Sequence, residues 1–235
     1  MMNELIVFTH NDLDALGCVL NIEHKFPNVE KKYFYTNYAN IDEIVEQIIE
    51  FKNHSNSQHI IIADVSFSDN KSSLARLYDV FKSCTHIDHH MYPDGFWDDF
   101  PNMKVFWDKS RSATQICHDV FGNDVAQLTK LSKLIDVYDL WQEKHEMFNI
   151  SQDLNEYFWH RVRVGNNPVS IESLAKEIVN RDFKLPEDFI RTVRMIKEKY
   201  TATIEDYEER GLIKRAGEIT NCFIDNYINQ VLLKE

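Results

Sequence analysis

Three clusters of acidic and histidine side chains, each directly behind a short apolar run, constrain this chain more than any other feature. Leu5-Ile6-Val7-Phe8 leads into His10-Asn11-Asp12-Leu13-Asp14. His59-Ile60-Ile61-Ile62-Ala63 leads into Asp64, and Thr85 to Ile87 lead into Asp88-His89-His90. Apolar runs bounded by polar clusters fit strands buried on both faces.

The segments between these runs have helical character. Ala15 to Lys25 carries helix formers, and Ile41, Ile44, Val45, Ile48 and Ile49 recur at helical spacing with acids opposite. Lys32 to Thr36 reads as a second strand. Ser68-Asp69-Asn70 offers caps for a helix to about Phe81. This βαβαβαβ order predicts an α/β fold, a parallel sheet flanked by helices. Loops leaving the carboxyl ends of parallel strands share one edge, so the three clusters should converge.

After Lys104-Val105-Phe106 the strand signal fades. Ser112–Phe121, Val125–Leu140 and much of Ser151–Val179 read as helices. Pro186 with Glu187-Asp188 marks the start of a long charged helix to about Arg210. Ile219 to Ile224 reads as a last strand. The expected organisation is a sheet domain with a helical C-terminal part over 1–185 and a connector helix over 186–215. Residues 216–235 would be a tail, or the start of a second domain.

With 38 acidic against 26 basic residues, the formal charge is −12. That field repels long polyanions, which argues against duplex DNA as a partner. A bound divalent pair would still draw in a short phosphate-bearing substrate. The four cysteines, Cys18, Cys84, Cys117 and Cys222, form no C-x-x-C pair and read as reduced thiols of a cytoplasmic protein. The first apolar run is too short for a signal peptide or a membrane span, so no membrane partner is expected.

Carboxylate and imidazole without thiolate suit Mn²⁺, Mg²⁺, Fe²⁺ or Zn²⁺ better than copper. Crowded carboxylates need cations, and a set this large fits two ions roughly 3.5–4 Å apart. Asp136 and Asp139, three apart on a predicted helix, are further candidates for the same face. Each piece alone has a plainer reading: a helix cap for D-x-D, surface polarity for His-His, an exposed acid for Asp136. Their joint order behind successive strands points to a metal site.

That order, H-x-D-x-D, a strand-terminal Asp, Asp88-His89-His90 and a helical Asp, resembles the DHH phosphoesterase superfamily over about residues 5–141. The superfamily includes RecJ-like exonucleases, nanoRNases and cyclic-dinucleotide phosphodiesterases. The resemblance implies a Mn²⁺-dependent phosphoesterase with two ions, Mg²⁺ being the alternative metal. By that likeness His10 and Asp12 hold one ion, Asp14 and His89 the other, Asp64 bridges, and Asp136 completes the set with Asp139 as its substitute. His90 then contacts the phosphate or leaving group, and Asp88 orients a histidine. The chain departs from the family in lacking a Gly-Gly-His segment.

Arg111, in a Ser-rich turn before a predicted helix, is a candidate phosphate contact with a surface ion pair as its equal alternative. Tyr92, Phe96, Trp97, Phe100, Phe106 and Trp107 follow the triplet; core packing is the favoured reading, base stacking the other. Tyr157 to Arg161 line a cleft or pack a helix. The expected activity is hydrolysis of short oligonucleotides or single-stranded nucleic acid. Its alternatives are a small phosphate compound (cyclic dinucleotide, nucleoside phosphate or pyrophosphate) and a catalytically silent nucleotide-binding module.

Overall fold

The computed structural model describes residues 4–54, 59–121, 125–164 and 168–210. Five strands, β1 (Glu4–His10), β2 (Glu30–Thr36), β3 (His59–Ala63), β4 (Ser83–Asp88) and β5 (Lys104–Trp107), form one sheet in the order β2-β1-β3-β4-β5. Every neighbouring pair is parallel. Eight α-helices are described: α1 (Leu13–Lys25), α2 (Ile41–Asn53), α3 (Lys71–Val80), α4 (Ala113–Phe121), α5 (Ala126–Asp139), α6 (Phe148–Trp159), α7 (Ile171–Val179) and α8 (Phe189–Glu209). The predicted α/β class is the observed one.

Alternation along β1 builds a core on each face of the sheet. Ile6 and Phe8 pack with Ile60, Ile62 and the apolar sides of α2 and α3. Leu5 and Val7 pack on the opposite face with Ile61, Ile87 and side chains of α1 and α4. Burial on both sides explains why β1 and β3 read as unbroken apolar runs, whereas edge strand β2 is only partly covered.

The aromatic residues behind the triplet divide. Phe96 and Phe100 are buried, with Tyr92 and Trp97 packed against them, while Phe106 and Trp107 remain exposed at the edge strand β5. The helical signal of Ser151–Val179 resolves into α6, a π-helical turn over His160–Val164, and α7, which Ser170 caps by accepting the Ser173 amide. α8 begins at Phe189 rather than at Pro186, because Pro186 to Phe189 form a turn closed by the Phe189 N–H on the Pro186 carbonyl.

The chain divides into two compact units, Met1–Phe189 and Ile190–Glu235. The predicted strand at Ile219–Ile224 and Cys222 lie outside the described residues. Cys18, Cys84 and Cys117 are free, buried thiols. Among the described residues no helix is long and apolar enough to cross a membrane.

Candidate metal centre

In the strand order β2-β1-β3-β4-β5 the chain turns first to one side of β1 and then to the other. The switch point lies between β1 and β3, where parallel sheets bind ligands outside their carboxyl ends. β1 ends at His10, Asp64 follows β3 directly, and β4 ends at Asp88. These loops bring three groups together. His10, Asp12 and Asp64 form one, Asp14, His89 and Asp139 a second, and Asp64, Asp88, His89 and His90 a third. In each, one potential ligand atom per residue lies within 4.8 Å of the others.

Backbone geometry aims each side chain. Asp12 caps α1, its Oδ1 accepting the Ala15 amide at 3.0 Å, while Oδ2 lies 2.7 Å from His10 Nδ1. Asp14 is buried on the first turn of α1 and accepts the Ala113 and Thr114 amides at the start of α4, at 2.9 and 2.8 Å. Asp64 has φ +57°, a left-handed backbone that costs free energy and turns its carboxylate inward. His89 Nε2 stands 3.4 Å from Asp64, 3.6 Å from Asp139 and 3.9 Å from Asp14.

Asp139 arrives through the way α5 ends. The Gln142 N–H reaches the Val137 carbonyl at 3.0 Å and the Trp141 N–H reaches Tyr138 at 2.9 Å, a Schellman closure with left-handed Trp141 where glycine is usual. That closure leaves Asp139 on the last residue of the helix. Asp136, one turn earlier, belongs to none of the three groups. Its Oδ1 accepts the Ser112 amide at 2.8 Å and its Oδ2 accepts Lys133 Nζ at 2.9 Å.

Arg111 also stands apart: its guanidinium donates to Asp108 at 2.8 Å and to Asp119. Arg163, on the π-helical turn and 4.1 Å from the Trp159 ring, feels the charge of Asp12. Burial lowers the Arg163 pKa while the Asp12 charge pulls it back up. In the sequence only the preceding stretch, Tyr157 to Arg161, with its alternatives of lining a cleft or packing a helix, bears on this segment.

The electrostatics are those of a carboxylate cluster awaiting positive charge. Burial, then the charges of Asp12, Asp14 and Asp139, push Asp64 well above the ordinary carboxylate range. Burial and the Asp14 and Asp12 charges push Asp139 up to about 9. Burial also raises Asp14, against the pull of His89. In Asp12 the bond to His10 and its charge outweigh burial, and the pKa falls. Buried Asp88 falls as well, because His90, His86 and the Tyr92 hydroxyl overcome the burial. Its Oδ1 pairs with His90 Nδ1 at 2.7 Å, so the histidine that Asp88 orients is His90.

Two oxygens provide the test of fit. Asp64 Oδ2 and Asp139 Oδ2 are buried without a hydrogen-bond partner. Uncompensated burial of a carboxylate oxygen is costly, and a divalent cation removes that cost. The all-oxygen and imidazole donor set suits Mn²⁺ or Mg²⁺.

No protein-family model matches the chain, and no curated protein sequence does. Solved structures do. The crystal structure of an uncharacterized protein from Helicobacter pylori G27 matches with a TM-score of 0.61 and 16% identity, over 82% of this chain and 62% of that one. The pGpG-specific phosphodiesterase PggH from Vibrio cholerae matches with a TM-score of 0.53 and 13% identity, over 88% of this chain and 64% of that one. The chain shares the fold of these two structures. At these identities the likeness is one of fold, and the chain spans less than two thirds of either structure's length. Asp88-His89-His90 sits at the end of β4, next to β3 and the β1–β3 switch point.

Proposed function

We propose that this chain is a metal-dependent phosphoesterase that hydrolyses a phosphodiester bond of a short oligonucleotide. The observation that carries the reading is the pair of buried oxygens of Asp64 and Asp139 that accept no hydrogen bond, among converging carboxylates and imidazoles. His10, Asp12 and Asp64 would hold one Mn²⁺, and Asp14, His89 and Asp139 a second, with Mg²⁺ as the alternative metal. Such ions lower the pKa of a water and polarise phosphoryl oxygens.

The chain's own residues supply the rest. Asp88 fixes the His90 ring through Nδ1, beside the ligand atoms of Asp64 and His89, where the imidazole would face a phosphoryl oxygen or leaving group. Arg163, rather than the ion-paired Arg111, would add positive charge for the phosphate. The charge of −12 opposes a long polyanion and favours a short substrate. The fold shared with a phosphodiesterase described as pGpG-specific supports the same choice. Residues 1–185 would form the metal-bearing domain.

The test is hydrolysis of a labelled dinucleotide and of a longer single strand with Mn²⁺, beside EDTA and an Asp64→Ala variant. Product from the dinucleotide that EDTA and the variant both abolish is expected. Equal turnover in the variant would sink the proposal.

A further inference from the structure

Tyr38 stands on the loop between β2 and α2, with 54% of its surface exposed. Water could satisfy the hydroxyl of so exposed a tyrosine, yet that hydroxyl points inward and lies 2.5 Å from His90 Nε2, across 52 positions of sequence. Its ring meets the His10 ring at 5.0 Å between centroids, tilted by 35°. One side chain thus touches a histidine at the end of β1 and another from the loop after β4.

The loop that carries Tyr38 is tied down. The Asn37 amide and the Thr36 hydroxyl both donate to Asn40 Oδ1 at 2.9 Å, and the Ala39 amide donates to Asn37 Oδ1 at 2.9 Å. Such side-chain-closed turns hold a backbone in one shape. His90 is correspondingly held at three points. Asp88 takes Nδ1, the Trp107 indole N–H donates to the His90 carbonyl at 2.7 Å, and Tyr38 takes Nε2. Without Tyr38 the ring keeps one fixed nitrogen and can turn about that bond.

We propose that Tyr38 is a positioning residue of the metal centre, its phenol fixing His90 from the solvent side and its ring covering His10. This rests on the phosphoesterase reading above. Partners of this kind, one step removed from the chemistry, are worth about tenfold to a hundredfold in activity or metal affinity.

Two variants separate the contacts. Tyr38→Phe keeps the ring on His10 and removes the bond to His90; Tyr38→Ala removes both. In metal-free protein labelled with ¹⁵N-histidine, Tyr38→Phe should move the Nε2 resonance of His90 and leave those of His10 in place. With Mn²⁺ and the labelled dinucleotide, kcat of Tyr38→Phe should fall about tenfold with KM within about twofold. Calorimetry should find Mn²⁺ affinity unchanged in Tyr38→Phe and about tenfold weaker in Tyr38→Ala. An unmoved Nε2 resonance, or a moved one with wild-type kcat, overturns the proposal. If wild-type protein hydrolyses nothing, the phosphoesterase reading fails, and the nitrogen resonances and Mn²⁺ affinities still decide whether Tyr38 holds the two histidines.

Discussion

Asp14 and Thr114 hold each other twice. The Thr114 amide donates to Asp14 Oδ1, and the Thr114 hydroxyl donates to the Asp14 carbonyl, both at 2.8 Å. The pair fastens the first turn of α1 to the first turn of α4 and fixes a carboxylate of the acidic cluster from behind. Gly17 makes the approach of the two helices feasible, since a Cβ there would lie 1.9 Å from Thr114 Oγ1 and 2.8 Å from Ile135 Cδ1.

Gly17→Ala should therefore destabilise the protein by about 2 kcal/mol, overpacking outweighing the gain of about 1 kcal/mol in helix propensity. Thr114→Val should cost about 1–2 kcal/mol, because the buried Asp14 carbonyl loses its hydroxyl donor while the shape is kept. Urea unfolding of metal-free protein measures both. A Gly17→Ala variant as stable as wild type would contradict the close approach.

Asp136 and Asp139 should respond differently to loss of charge. Asp139→Asn removes a carboxylate from the His89 group, and Mn²⁺ affinity by calorimetry should fall by at least about a hundredfold. Asp136→Asn should leave metal binding within about tenfold and instead lower the melting temperature, since it disturbs the bonds to Ser112 and Lys133. The reverse ranking would place Asp136 in the centre.

The pH dependence of the metal-free fold has a definite sign. Asp14, Asp64 and Asp139 have folded pKa values above those of the unfolded chain. Their contribution is complete below the unfolded carboxylate value of about 4 and is lost as pH rises through the folded values, to about 9 for Asp139. Asp12 and Asp88, with depressed values, act oppositely and only at acid pH. The melting temperature of EDTA-treated protein should decline from mildly acid pH to about 9, and Mn²⁺ should flatten that decline. A rising profile without metal would contradict the buried cluster.

Arg163 and Arg111 give the last contrast. Arg163→Ala should raise KM for the dinucleotide about tenfold or more by removing a positive charge that feels Asp12. Arg111→Ala, which breaks pairs with Asp108 and Asp119 on the surface, should leave KM within about twofold. Steady-state kinetics on the two variants decide.

The sheet was legible in the sequence because its signal is local. A strand buried on both faces must be apolar throughout, and β1 and β3 are. The convergence of His10, Asp64 and Asp88 was legible too, since parallel order alone sends strand ends to one edge. Helical periodicity put Asp136 and Asp139 on one side of α5 and could go no further. Which of them meets His89 was decided by the closure at Trp141 and by the start of α4, whose Ser112 amide occupies Asp136. Likewise Phe96 and Phe100 went to the core, while Tyr38 came to His90 and His10 from the loop after β2. Periodicity records which face of an element is buried; contacts between loops far apart in the chain depend on how the packed elements bring them together, and only the tertiary structure contains that.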